Sequence, residues 1–168
     1  EKVLGRSWKC AKQIEQMWNA GRFNGVADIL RYEILFEYGG FVAPADSKCL
    51  EPIDDLLNCE CFCCYENEKA RPELLSPHIG TVKNSLLMDF LISAIKNTDN
   101  VLLADPWKVT GNALLTGAVQ KLNYPIVILP SYTFIPEHYT GENYAGNGKV
   151  YAKHIWGTTK NITGNLDD

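Results

Sequence analysis

Asp28 and Arg31 stand three positions apart in a stretch with helical periodicity, which puts a carboxylate and a guanidinium on one face. A carboxylate accepts hydrogen bonds and a guanidinium donates them, so the pair can grip sugar hydroxyls. The same spacing also makes a plain intrahelical ion pair, the commoner outcome on spacing alone. Asp46 falls just past a short apolar run at 41–43, where ligand sites of open α/β sheets collect. It suits equally well a turn in which an aspartate bonds its own backbone. His154 follows a last short strand, a place where polar surface histidines are common.

Four of the six cysteines crowd together at Cys59, Cys61, Cys63 and Cys64. Cys61 and Cys64 form a C-x-x-C, which raises zinc or redox chemistry, but a structural zinc needs four ligands and no second pair exists. Phe62 and Tyr65 interleave with them, and in a strand residues i and i+3 face opposite sides. The segment therefore reads as a buried core strand, and abundant unpaired cysteine favours a reducing compartment, the cytoplasm. A zinc-stabilised structural domain is the more distant alternative.

The elements that must carry these residues alternate in type. Helices are expected over about 9–19 and over 25–38, the second with Ala27, Leu30, Ile34 and Tyr38 as its apolar stripe and Gly39-Gly40 as its stop. Strands follow at 41–43 and within 56–65. Asn84 is expected to cap a helix running to Lys96, and Thr110 another ending near Leu122. Residues 126–129 and 150–152 read as strands, with a loop from Glu142 between them. That order, with no repeat and no linker, points to one α/β domain.

Composition limits the partners. The chain has 168 residues, 46% hydrophobic and 21% charged, enough to bury a sizeable core. A net charge of −4 argues against nucleic-acid binding, which needs a basic stripe. No apolar run approaches a membrane span, and no signal-peptide pattern opens the chain, whose first residue is Glu1. The sequon Asn161-Ile162-Thr163 alone is weak evidence for a secretory route.

The run from Ala27 to Phe41, ADILRYEILFEYGGF, resembles the signature of sugar transferases that carry a DXD motif. That group contains initiating mannosyltransferases of the yeast type, capsular polysaccharide transferases and, more distantly, clostridial glucosylating toxins; compact members occur in large DNA viruses. The segment Glu51-Pro52-Ile53-Asp54-Asp55-Leu56 resembles the stretch that follows the motif, and Tyr151-Ala152-Lys153-His154-Ile155-Trp156-Gly157 the closing one. Asp105–Thr116 is a looser match to a T-G-P stretch ahead of a helix, with Asn112 in place of the proline.

The resemblance implies a GT-A-like α/β fold with a mostly parallel central sheet flanked by helices, spanning 1–168 as one glycosyltransferase domain that lacks the N-terminal nucleotide-binding strand of its relatives. It implies a hexosyltransferase that takes a hexose, with retention, from a nucleotide-sugar donor, UDP-sugar ahead of GDP-sugar. The acceptor would be a glycan or glycoprotein, and a viral protein would act in the host cytoplasm. Asp28 and Arg31 would orient the sugar, and Asp46 and His154 would hold Mn²⁺ or Mg²⁺. Trp156 and Gly157 would lie by the diphosphate. One departure matters: the first aspartate of the motif falls at Pro44, which has no carboxylate, and Ala27 replaces a serine. The alternative is therefore a catalytically weak or silent nucleotide-sugar-binding module.

Overall fold

The computed structural model describes residues 7–157, 159 and 160, so the sequon at 161–163 lies outside the described residues. The chain divides into two compact units, Glu1–Gly40 with Val82–Pro125, and Phe41–Thr81 with Ile126–Asp168. The first holds the helices α1 (Ala11–Asn19), α2 (Phe23–Tyr38), α3 (Leu86–Lys96), α4 (Pro106–Val109) and α5 (Asn112–Leu122). Among the described residues, no helix is long and apolar enough to cross a membrane.

In this first unit α3 packs against α1, α2 and α5. Its Leu87, Met88, Leu91, Ile92 and Ile95 recur at helical spacing and are all buried. The helix ends are satisfied from neighbouring elements rather than by local caps. Glu33 on α2 accepts the N–H groups of Lys9 and Cys10 at the start of α1, both at 2.8 Å. Gln13 on α1 donates to the carbonyls of Lys96 and Thr98 at the end of α3, both at 3.0 Å. These are the groups a helix leaves unpaired at its termini. The chain leaves α2 through Gly39 and Gly40, whose φ of 68° and 97° need glycine.

The apolar stripe expected on α2 is not the buried one. Ile29, Tyr32 and Leu35 are in the core, whereas Ala27 and Tyr38 are exposed and Leu30 and Ile34 half-buried. Tyr32 and the aliphatic side chains beside it outweigh the stripe in buried volume, and the helix turns accordingly. The expected caps also shift. α3 starts one residue later, after Ser85, and Asn84 takes a left-handed φ of 59° while donating its N–H to Phe36 O at 2.8 Å. Gly111, not Thr110, precedes α5.

The second unit holds the strands β1 (Gly40–Val42, from Phe41 on), β2 (Ser47–Cys49), β3 (Cys61–Asn67), β4 (Arg71–Thr81), β5 (Val127–Leu129) and β6 (Ala152–His154). One sheet has the order β1-β4-β3-β5; β2 and β6 form an antiparallel ribbon. The larger sheet is mixed rather than mostly parallel, because β3 pairs antiparallel with β4 and parallel with β5. The reason is local. Asn67 Oδ1 accepts the N–H groups of Lys69 and Ala70, a tight side-chain turn that admits only an antiparallel partner. β4 escapes the sequence reading since Pro72 and Pro77 interrupt its pattern.

Leu56, Phe62, Cys64, Phe134, Ile135 and Tyr151 form the core of this unit. Cys61, Cys63 and Cys64 are buried as expected of a core strand. Gly80 pairs with Phe62 across the ladder, and a Cβ there would lie 2.3 Å from the ring, so glycine is what lets the ring lie over β4.

Candidate functional site

The first unit assembles a polar cluster on α2. Arg31 Nη1 donates to Asp28 Oδ1 at 2.7 Å, so the intrahelical pair expected from the spacing does form. Two further facts set it apart from a surface ion pair. Both side chains are largely buried, at 7% exposure for Arg31 and 13% for Asp28. Arg31 Nε is buried with no hydrogen-bond partner, a donor left over in a site that water reaches poorly.

Thr110 and Gly111 sit against the pair at the junction of α4 and α5. Thr110 Oγ1 contacts Asp28 Oδ2 at 3.3 Å and Pro106 O at 3.0 Å. A Cβ on Gly111 would lie 2.8 Å from Asp28 Oδ2, so the missing side chain makes room for the carboxylate. Burial pushes the Asp28 carboxyl above its ordinary pKa, against the opposing pull of Arg31 and Thr110.

The second unit assembles a longer network around Asp46. The chain turns at Pro44, whose carbonyl accepts Ser47 N–H at 3.1 Å, and so presents Asp46 ahead of β2. The Asp46 side chain reaches across to the chain's far end. Its Oδ2 accepts the Gly157 N–H at 2.9 Å, and its Oδ1 lies 3.4 Å from His154 Nδ1. The Asp46 carbonyl accepts Ile155 N–H at 2.9 Å. This is no self-bonding turn aspartate: the carboxylate bridges segments far apart in sequence.

Trp156 makes the bridge possible. Its φ of 62° is left-handed, rare for a bulky residue, and it turns the chain so that Gly157 presents its N–H to Asp46. The indole lies edge-on to His154 with ring centres 4.3 Å apart, and its N–H donates to Glu137 O. Burial is the first cause holding the His154 imidazole below its ordinary pKa, ahead of the opposing charge of Asp46. A neutral ring keeps a lone pair for a ligand.

Sequence reasoning left Ser47, His78 and His138 without a role. The β2–β6 register sets Ser47 opposite His154, and its Oγ lies 3.2 Å from His154 Nδ1 and 2.8 Å from His78 Nε2. His78 Nδ1 in turn lies 2.7 Å from Ser76 Oγ. His138 contacts Glu66 at 3.3 Å and packs edge-on against Trp156. The available signal was the alternation Ser76-x-His78, which puts both on one face of a strand.

The cysteines stay outside this chemistry. Burial pushes the Cys61 thiol up to about 11 and raises Cys63 and Cys64 as well, which disfavours their free thiolates. Among the described residues, no group of three or more histidine, cysteine, aspartate or glutamate side chains could hold a metal ion.

No protein-family model matches the chain, and no curated protein matches it. Among solved structures it is similar to one named PaToxG Glycosyltransferase, at 15% identity and a TM-score of 0.54, over 69% of this chain and 41% of that one. The chain thus spans well under half of that structure's length, and the likeness is one of fold: a mixed α/β fold like that of a glycosyltransferase.

Proposed function

We propose that this chain is a metal-dependent glycosyltransferase of GT-A type, which moves a hexose from a nucleotide-sugar donor to a glycan or protein acceptor with retention. UDP-sugar is the first donor class to test and GDP-sugar the second. The observation that carries the reading is the 3.4 Å separation of Asp46 Oδ1 and His154 Nδ1. Metal–ligand distances of about 2.1 Å put adjacent ligands about 3.0 Å apart in an octahedron and about 3.4 Å in a tetrahedron. An octahedral Mn²⁺ or Mg²⁺ would draw the two donors about 0.4 Å closer than they stand, with water and phosphate oxygens completing the shell, the usual way Mg²⁺ is held.

When bound, the cation supplies Lewis-acid stabilisation to a departing diphosphate. The chain's own residues do the rest. Gly157 N–H holds the second carboxylate oxygen of Asp46 and so fixes its orientation. Trp156 packs against His154 and narrows water access to it. On this reading Asp28 accepts and Arg31 donates hydrogen bonds to sugar hydroxyls. Positioning of this kind is worth several kcal/mol, on the order of the effective-molarity advantage of oriented groups.

Pro44 favours a second reading, a module that binds nucleotide sugar and turns it over weakly or not at all. It stands where a carboxylate would face the donor and offers neither a side-chain acceptor nor an N–H. Calorimetric titration of UDP, GDP and their sugars with Mn²⁺, then with EDTA, separates the possibilities. Metal-dependent binding that Asp46→Ala abolishes, together with donor turnover, supports the transferase; binding without turnover supports the module. Absence of binding by every nucleotide would overturn both.

A further inference from the structure

We propose that Ser47 is a third protein ligand of that cation, its hydroxyl oxygen freed for the role by a hydrogen bond to His78. This inference rests on the cation reading of Asp46 and His154. Ser47 Oγ and Asp46 Oδ1 lie 3.2 Å and 3.4 Å from the same atom, His154 Nδ1. Both separations lie between the octahedral edge of about 3.0 Å and the tetrahedral edge of about 3.4 Å, or at the latter, so small shifts would bring the three atoms around one cation. A hydroxyl is a hard oxygen ligand of the type these cations take, as in the phosphate-binding loops where a serine or threonine holds Mg²⁺.

A hydroxyl can face a cation only if its proton points elsewhere. His78 Nε2, 2.8 Å from Ser47 Oγ, provides the acceptor. For that nitrogen to accept, the proton of the neutral ring must sit on Nδ1, where Ser76 Oγ stands 2.7 Å away to receive it. His78 and Ser76 are completely buried, and the His78 ring stacks on Phe134 with centres 5.4 Å apart. In this assignment Ser47 donates to His78 and His78 donates to Ser76, the tautomer that both distances allow. It leaves the lone pairs of Ser47 on the side of His154 and Asp46. With a cation bound, the neutral His154 ring would carry its single proton on Nε2 and offer the Nδ1 lone pair as ligand. His78 and Ser76 act only through Ser47 and are positioning residues.

A ligand-swap experiment tests the assignment. Mn²⁺ and Cd²⁺ affinities are measured, by electron paramagnetic resonance and calorimetry, for the wild type, Asp46→Ala, Ser47→Ala, Ser47→Thr and Ser47→Cys, with thermal unfolding of each. A thiolate prefers the softer Cd²⁺, so a direct ligand changes metal preference whereas a residue that only supports the fold does not. The expected result is about a tenfold or greater loss of Mn²⁺ affinity in Ser47→Ala, a scale typical of lost support around a metal. Ser47→Thr should return close to wild type, and Ser47→Cys should raise the Cd²⁺-to-Mn²⁺ affinity ratio at least tenfold over Ser47→Ala. Equal ratios in Ser47→Cys and Ser47→Ala, in folded proteins, would overturn the assignment while a loss of binding in Asp46→Ala left the cation site standing. A wild type that binds neither metal would overturn the cation site and the Ser47 ligand with it.

Discussion

Gly111→Ala tests whether the Asp28 carboxylate is held in place by the space beside it. A Cβ at this position would lie 2.8 Å from Asp28 Oδ2 and 2.9 Å from the backbone Cα of Trp107. An ordinary contact begins near 3.4 Å, so relief needs about 0.6 Å at the carboxylate and about 0.5 Å at Trp107. The Trp107 side is main chain and yields little, so most of the movement falls on Asp28. That movement strains the 2.7 Å bond from Arg31 and the 3.3 Å contact with Thr110. Overpacking of this kind costs about 1–3 kcal/mol, which in a chain of this size lowers Tm by roughly 2–4 °C per kcal/mol. A misplacement of 1 Å can cost about a hundredfold in rate, so half that distance should cost about tenfold in kcat/KM, or about 1.4 kcal/mol of barrier. Donor hydrolysis without acceptor, read beside thermal unfolding at a temperature well below Tm, separates the two effects. Turnover equal to wild type in a variant whose Tm has not moved would refute the reasoning.

The other predictions address the same parts. Arg31→Met leaves the buried Asp28 without its partner and should lose about 3–5 kcal/mol in urea unfolding, while adding Asp28→Asn should recover most of the loss; an additive double variant would contradict the coupling. A carboxyl whose folded pKa is raised binds more protons folded than unfolded, so its contribution is full below the ordinary 3.8 and is lost as pH rises through the folded value. Wild-type stability minus that of Asp28→Asn should thus rise as pH falls from neutral towards 3.8, and a difference that falls on acidification would reverse the sign. Gly80→Ala drives a methyl to 2.3 Å from the Phe62 ring and should cost about 1–3 kcal/mol, recovered in part by Phe62→Leu in a double variant. Pro44→Asp restores an acidic group ahead of Asp46 and should tighten nucleotide-sugar binding several-fold in calorimetry, with no comparable change for a nucleoside monophosphate.

The sequence revealed elements whose signals are local. α1, α2, α3, α5 and β5 lie within a few residues of the positions read from periodicity and from Gly39-Gly40. What escaped was decided by tertiary context. β4 hides behind two prolines, and its pairing with β3 is set by a side-chain turn at Asn67. The buried face of α2 follows Tyr32 rather than the evenly spaced Leu30 and Ile34. Asp28 with Arg31 was legible because helix geometry alone brings i and i+3 together. Asp46 with His154 was legible only through a family resemblance, since no local rule links residues 108 apart. Ser47 and His78 had no signal beyond adjacency and alternation, and their meeting depends on the β2–β6 register.

The geometry around Asp46 bears on whether it binds a ligand, as proposed above, or only ties the chain together. A carboxylate can accept about four hydrogen bonds. Asp46 spends one oxygen on the Gly157 N–H and leaves the other with a long 3.4 Å approach from His154, although its side chain is only 24% exposed. A purely structural aspartate in such surroundings would gain by filling that capacity, because a charge taken partly out of water is costly unless it is well bonded. The protein also holds Trp156 at a φ of 62°, a conformation that costs on the order of 1–2 kcal/mol, where the chain turns to present the Gly157 N–H to Asp46. Asn84 and Asn123 share a positive φ that asparagine tolerates at small cost, whereas Glu73 shares it, like Trp156, without that tolerance. On the cation reading proposed above, strain kept beside a carboxylate, an imidazole and a hydroxyl has a use, which hydrophobic packing of the ribbon alone does not supply.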